Sequence, residues 1–495
     1  MRRKATDALG LGARHETIDA SEARRETRDI RRVSSLSSCN LVSRLTSHAP
    51  TPWPKVKLGK EGGARHETID ASIASSLASK TARVSRLTSH APWPTVLLGE
   101  VTIMKRGKYI TRNDTSPGDV PVILGGQEPA YYCDKANHTG PCVVISRSGA
   151  SAGFVSYWAQ PIFVTDGFLF EANEQSNIRY VYYCLKANQS LLGNMQNGTG
   201  IPHVRGDDLK SFQIPLPPLP IQRRIADVLS AYDDLIENNR RRIAILEETA
   251  RLAYRKWFGG SGAKGGMRHE TIDASEVRRE TRDVRRVSSL PSHASVSRLT
   301  SHAQLRTVTL GEICQTFGGG TPKTTSPEFW DGDIPWVVPT DITRNTCLAL
   351  LDTERKITAL GLQKSSAKML PANAILMTSR ASVGYFGMAD FPVCTNQGFI
   401  SIVPNNDSWR WYLLFNLMSR VEEIRSNAKG STFPEISRAR FRSMDVAIPD
   451  DNALIEFNRV VEPLMQQVRI LAKQSAALAS ARDMLLPRLM KGGTT

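Results

Sequence analysis

Three groups of residues in this 495-residue chain have types and spacings that invite a chemical reading. The run Gly318-Gly319-Gly320-Thr321-Pro322-Lys323-Thr324 has the composition of a phosphate cradle. Its order is wrong, because Pro322 separates Thr321 from Lys323 and no Gly-Lys-Ser/Thr follows. The proline also removes a backbone N–H that such a cradle needs. His-Glu-Thr-Ile-Asp, at His15, His66 and His269, starts like a zinc-protease helix, but Asp19, Asp70 and Asp273 stand where the second histidine belongs. Asp331, Asp333 and Asp341 have the chemistry of metal carboxylates, but their context, FWDGDIPW, favours an aromatic-flanked turn. There is no Asn/Asp-Pro-Pro-Tyr/Phe loop and no Gly-rich strand–turn–helix of the kind that binds S-adenosylmethionine. Only His138 and His203 lie outside the repeated segments described below, too few for a histidine-based site. No catalytic group, metal site or cofactor is expected.

The elements that would have to position any chemistry are written twice. TVLLGEV (95–101) is echoed by TVTLGEI (307–313). Ser146-Arg147 ends an apolar run before Gly153, and Ser379-Arg380 ends a similar run before Gly384. Gly198-Thr199-Gly200-Ile201-Pro202 is matched by Gly430-Ser431-Thr432-Phe433-Pro434, and Ile214 to Pro220 by Val446 to Pro449. The order is the same while the text between the marks differs, which suggests two similar modules that read two different things. Each mixes short β-rich runs, such as Val120–Leu124 and Cys142–Ile145, with polar turns. A helix-like stretch covers Arg179 to Gln189, and strand-like apolar runs such as Val181–Cys184 carry several cysteines.

A long amphipathic stretch follows each module. Residues 222–257 carry apolar side chains at 225, 228, 232, 235, 236, 243, 246, 252 and 253, interrupted by Asn239. Residues 452–490 carry a heptad seam through Leu464, Val468, Leu471, Ser475 and Leu478, continued by Leu485. The seam positions are Ile225, Tyr232, Leu235, Ile243 and Leu246 on one helix, and Leu464, Val468, Leu471, Leu478 and Leu485 on the other. Pro463 predicts a kink or a restart, and Asp450-Asp451 predicts an N-terminal cap. About 35 residues give roughly 50 Å of helix. A stripe that long needs a partner, and each helix is the natural partner of the other.

The net charge of +16 suggests a polyanionic partner, but its distribution weakens the inference. Residues 1–92 and 264–304 hold +11 of it. These two segments repeat RHETIDAS (14–21, 65–72, 268–275) and VSRLTSHA (42–49, 84–91, 296–303). They are poor in aromatic residues and read as disordered or loosely helical insertions, inert or serving as a basic arm on phosphates. The seven cysteines are scattered, with no Cys-x-x-Cys pair, so buried reduced thiols of a cytosolic protein are expected. No apolar run has the roughly 18 to 20 residues needed to cross a bilayer.

With the frame in view, the chain resembles the specificity subunits of type I restriction–modification systems. GGGTPKTTSPEFWDGDIPWVVPTDI (318–342) is the strongest match. It is joined by ILMTSRASVG (375–384), CTNQGF (394–399), GSTFPEI (430–436) and MLLPRLMKG (484–492). In the first module ISRSGASAG (145–153), VTDGF (164–168) and residues 214–239 match likewise. The resemblance implies an α/β (α+β) chain, with two similar target-recognition domains joined by two long antiparallel coiled-coil helices. The expected division is a repeat insertion at 1–92, a first domain at 93–221, a helix at 222–258, a linker and insertion at 259–304, a second domain at 305–450 and a helix at 451–492. It further implies that each domain reads half of a split site on double-stranded DNA, with the helices as ruler and dock for methyltransferase and restriction/translocase subunits. Those cytoplasmic partners, not this chain, would use S-adenosylmethionine, ATP and magnesium.

Base reading needs donors and acceptors on loops, with cations nearby for phosphates. The candidates in the first module are Lys105, Arg106, Lys108, Arg112, Arg147, His203 and Arg205. In the second they are Lys323, Thr324, Arg344, Lys364, Arg380, Arg425, Lys429 and Thr432. For each one the alternative is a solvated surface charge. Arg147 and Arg380 stand beside glycine turns in matching places, which favours a shared role, either on DNA or in holding the loop. A solitary nuclease or methyltransferase, and a coiled-coil adaptor with modules that do not bind DNA, are the competing classes.

Overall fold

The computed structural model describes residues 93–195, 202–259, 306–430 and 434–491. The repeat-bearing segments, which cover 1–92 and almost all of 259–304, lie outside the described residues, as does Thr432. The chain divides into two compact units. One runs to Asp234 and takes in the residues from Ala479 on; the other is Leu235–Leu478.

The first unit carries an antiparallel four-stranded sheet in the order Thr102–Arg106, Gly167–Ala172, Cys142–Ser146, Val155–Trp158. A three-stranded sheet places Val120–Ile123 between Tyr131–Cys133 and Phe163–Val164. Ile123, Cys142, Val144, Ile162, Val164 and Leu169 form one buried cluster of this unit. Asn177 caps the helix Ile178–Ala187 by accepting from Tyr180 N–H at 3.0 Å. Cys184 therefore sits on a helix rather than on the strand that its apolar run suggests: Ile178, Val181, Cys184 and Leu185 fall on one buried helical face.

The second unit repeats this plan. Its five-stranded sheet runs Cys314–Gly318, Phe399–Pro404, Ile375–Thr378, Phe386–Ala389, Ala349–Leu350, with Arg355–Ile357, Trp330–Val337 and Cys394–Thr395 as the companion sheet. Burial raises the thiols of Cys142, Cys314 and Cys394 to about 12, as befits cysteines used as packing.

The repeated Leu-Gly-Glu has a local cause. Thr95–Leu97 and Arg306–Thr309 each pair with a strand that closes the module, Gln213–Pro215 and Asp445–Ile448. A single helical turn follows, in which Glu100 accepts from Leu97 N–H and Glu312 from Thr309 N–H, both at 3.1 Å. The intervening glycines admit a neighbour: a Cβ on Gly99 or Gly311 would stand 3.0 Å from the Lys210 side chain or 3.1 Å from that of Arg442.

The two long helices span Leu219–Phe258 and Asp451–Lys491. In the first unit, buried Gln222 fastens the start of the central helix. It accepts from Asn177 N–H at 2.9 Å and donates to Pro217 O at 2.8 Å and Gln175 O at 3.0 Å. Within the second unit the helices run antiparallel. Ile236, Arg240 and Ile243 share a groove wall with Ala472 and Ser475, while Trp257 and Phe258 pack on Phe457.

Ile225, Tyr232, Ile243, Val468 and Leu471 are buried, and Leu235, Leu246, Leu464, Leu478 and Leu485 are half-buried. Leu252, expected in the stripe, is 46 % exposed, and Ala250, Tyr254 and Phe258 carry the burial instead. The 3–4 spacing from Ile243 through Glu247, Ala250 and Tyr254 determines that face. Pro463 neither breaks nor restarts the final helix, which is continuous from Asp451 to Lys491. Phe457, Val461 and Met465 are buried around it and offset the single backbone hydrogen bond it forfeits. Asp450 is the cap, accepting from Ala453 N–H at 2.9 Å, and Asp451 is the first helical residue.

Candidate nucleic-acid interface

In each module several distant loops meet at the end of the main sheet. In the first, Gly107 N–H donates to Gly167 O and Lys108 N–H to Val164 O, both at 2.9 Å. Gly149 N–H reaches Pro202 O at 3.0 Å. In the second, Gly320 N–H donates to Thr395 O and Ala381 N–H to Pro434 O, both at 2.9 Å. The glycines of GGGTP allow this close approach. A Cβ on Gly319 would lie 2.1 Å from the carbonyls of Thr395 and Asn396, and one on Gly320 would lie 2.4 Å from Ala367 N. The run is a packing device, not a phosphate cradle.

Two tryptophans of the same motif hold that loop from below. Trp336 Nε1 donates to Gly320 O at 2.9 Å and Trp330 Nε1 to Lys323 O at 3.2 Å. The two indoles meet edge to face at 5.0 Å, and the Arg355 guanidinium covers Trp330 at 3.7 Å. The carboxylates among them are structural. Asp331 has φ 58° at a register shift in its strand. Asp341 accepts from Val338 N–H at 2.8 Å and Glu354 N–H at 3.1 Å. Among the described residues no group of three or more His, Cys, Asp or Glu is placed to hold a metal.

The backbone bonds give the correspondence between modules, and it shifts the arginines by one place. Arg147 N–H donates to Asp166 O and Arg147 O accepts from Val204 N–H; Ser379 N–H donates to Gly398 O and Ser379 O accepts from Ile436 N–H. Gly149 and Ala381 both have positive φ, 83° and 60°, and both donate to the proline of the facing segment. Arg147 thus matches Ser379, and Arg380 matches Ser148. The expectation that Arg147 and Arg380 occupy equivalent places is corrected. The Ser-Arg dipeptides lie one position apart in the ladder, and a shift of one sends side chains to opposite faces.

Their surroundings differ accordingly. Arg147 Nε donates to Asp166 Oδ1 at 2.6 Å, and Ser148 Oγ donates to Asp166 Oδ2, so this pair closes its loop. In the second module Gly398 stands where Asp166 does. A shallow cavity opens there, lined by Pro339, Arg380, Ala381, Asn396, Gln397 and Gly398. Arg380 is exposed, and its nearest charge is Glu435, with Nε 3.8 Å from Oε2.

The remaining candidates separate by what they already bind. Lys105 is paired with Glu171 at 2.5 Å, and Arg112 stacks 5.1 Å from the Tyr131 ring. Arg425 is spent on Val383 O at 3.1 Å and Glu422 at 2.7 Å, holding the loop that carries Arg380. Arg106, Lys108 and Arg205 are exposed beside the first module's loop ends, and His203 faces Ser148 across an isolated bridge. Lys323 and Thr324 are exposed beyond the glycines, Lys429 pairs through its backbone with Glu435, and Lys364 ends the short helix Ala359–Gln363. Arg344 lines the separate groove along the central helix, 3.9 Å from Glu354. Sequence reasoning missed Asn396 and Gln397, which line the cavity, and Glu435, which faces Arg380. They lie inside the CTNQGF and GSTFPEI marks, but only the fold shows that those two marks meet.

Comparison with known proteins agrees with this frame. A family model described as the type I restriction modification DNA specificity domain matches twice, at residues 91–248 and 304–478. The MjaIX type I restriction enzyme specificity subunit of Methanocaldococcus jannaschii is 33 % identical over 171 residues, covering 33 % of this chain and 40 % of that subunit. The match thus spans well under two thirds of that relative. The HindI specificity subunit of Haemophilus influenzae is 21 % identical over 338 residues, covering 61 % and 73 % of the two chains. The crystal structure of a type I restriction–modification S subunit from M. genitalium shares the fold, with a TM-score of 0.52 at 19 % identity over 81 % of this chain and 97 % of that one. With its duplicated modules and long helices, and with the family model matched in both halves, the chain belongs to the specificity subunits of type I restriction–modification systems.

Proposed function

We propose that this specificity subunit reads a bipartite site on double-stranded DNA, one half per module, and holds methyltransferase and restriction/translocase subunits to that site. A specificity subunit is the non-catalytic, DNA-recognising member of its system. Methyl transfer and cleavage therefore fall to the partners with their S-adenosylmethionine, ATP and magnesium. One observation carries the bipartite reading. The two modules share the backbone bonds that flank an isolated bridge, yet the first places Ser148 and His203 at the paired positions where the second places Arg380 and Glu435. A common frame with different rim chemistry is what two readers of different sequences require.

Scaffolding is supported by the helices, which extend beyond what either module needs for its own closure. No helix among the described residues is long and apolar enough to cross a membrane. The test is an exchange of residues 305–450 for the corresponding module of another specificity subunit, followed by sequencing of methylated sites in cells that carry the partner subunits. One half of the methylated motif should change and the other should stay. A change in both halves, or in neither, defeats the modular reading.

A further inference from the structure

We propose that Arg380 and Glu435 act together as the reader of one G·C base pair in the half-site of the second module, a proposal that rests on the DNA-reading function above. The two residues face each other across an isolated antiparallel bridge, on segments 55 positions apart. Opposed residues of such a bridge stand side by side, about 4.5–5.5 Å between Cβ atoms. Both side chains are about half exposed, 55 % and 50 %, and Arg380 lines the cavity that Gly398 also lines.

Three features of this arginine carry the assignment; Arg344, 3.9 Å from Glu354, shares the first two but lines the separate groove along the central helix rather than the loop cavity. Among the described residues its guanidinium has no hydrogen-bond partner, since Glu435 at 3.8 Å is beyond hydrogen-bond range. Arg355, Arg420, Arg425 and Arg440 are by contrast stacked or bonded within the fold. It also stands beside a carboxylate, which disfavours a phosphate contact: the negative charge that Arg380 would attract, Glu435 would repel. The pair does fit a base-pair edge. In the major groove guanine offers two acceptors, O6 and N7, to the arginine fork, and its cytosine offers an N4 amino donor to a carboxylate. Donor fork and acceptor lie next to each other on the protein, as the guanine acceptors and the cytosine amino donor do on the G·C edge.

The first module lacks this device at the same two positions. Ser148 is bonded to Asp166 and His203 faces it, so the matched bridge carries a different recognition chemistry. The residue that makes room is Gly398, in place of Asp166.

The test uses the full chain and a pool of randomised duplexes, with enrichment sequenced for wild type, R380A, R380K and E435Q. Wild type should enrich a motif with a guanine in one half. R380A should flatten that base pair alone, losing about ten- to hundredfold of discrimination, as expected for one bidentate contact. R380K keeps the charge but not the planar fork and should weaken the same preference, less than R380A does, while binding the pool normally. E435Q should relax the same base pair and leave the other half-site untouched. The assignment is overturned if R380A weakens all duplexes equally with a fall of about one in the slope of log affinity against log salt, which marks a phosphate contact. Loss of preference at several base pairs together in R380K, or no loss in R380A, overturns it as well. If wild type enriches nothing, the DNA-reading function itself fails, which is distinct from enrichment that the variants leave intact.

Discussion

Arg482, on the last turns of the final helix, donates to Asp233 Oδ1 at 2.5 Å, although the two residues lie 249 positions apart in the chain. Asp233 accepts from Tyr183 OH through its other oxygen at 2.5 Å, so one carboxylate joins the module, the central helix and the final helix within the first unit. Burial works against the Arg482 charge, but hydrogen bonds to Asp233 and Asp483 outweigh it and hold the guanidinium above its ordinary range.

Asp233→Ala should therefore destabilise the first unit by about 2 kcal/mol, leaving a buried tyrosine hydroxyl and a half-buried guanidinium unpaired. Hydrogen exchange should show faster opening of residues 178–187 and 479–490, while residues 306–430 keep their protection. Uniform loss across both units would show that the carboxylate does not act locally.

Glu247 is buried on the central helix, where it accepts from Leu348 N–H at 2.6 Å, with Arg251 3.7 Å away. Burial raises its carboxyl above the ordinary range, and the bond from Leu348 and the charge of Arg251 only partly oppose this. Because the folded protein binds this proton more tightly than the unfolded chain, stability falls as pH rises from the usual carboxylate range through the folded value. Glu247→Gln keeps an acceptor for Leu348 N–H and removes that slope. Melting curves from pH 4 to 8 should show the variant losing less stability toward pH 8 than wild type. An identical slope in both proteins would refute the assignment.

Gly319→Ala should cost about 1–3 kcal/mol, because its Cβ meets two backbone carbonyls at 2.1 Å rather than a movable side chain. Urea titration should show a lower midpoint for the second unit. Sequence preference should weaken in one half-site only, since the displaced segment carries Asn396, which lines the Arg380 cavity.

Trp336→Phe preserves most of the ring packing on Trp330 but strands the Gly320 carbonyl, which now accepts the indole N–H at 2.9 Å. The expected loss is about 1–3 kcal/mol. Trp330→Phe, whose bond to Lys323 O is longer at 3.2 Å and nearer the surface, should cost less. Thermal melts of the two variants side by side check the order.

Much of this protein is determined within short windows of sequence. The Leu-Gly-Glu turns cap themselves over three residues, Asp450 caps the final helix, and the apolar positions of 222–257 and 452–490 specify two long helices through their periodicity. The order of repeated marks was enough to announce two like modules. The register of the loops at the sheet ends depends instead on bonds between segments far apart, such as Gly149 to Pro202 and Ala381 to Pro434. The repeated Ser-Arg dipeptide aligns Arg147 with Arg380; the ladder places Ser148 there and ties Arg147 to Asp166. Likewise, periodicity proposed Leu252 for the helix stripe, but packing against Tyr412 and Phe457 selected Tyr254 and Phe258. Local hydrogen bonds and spacing are written in the sequence, whereas which face and which partner a side chain meets is decided only when distant backbone segments pair.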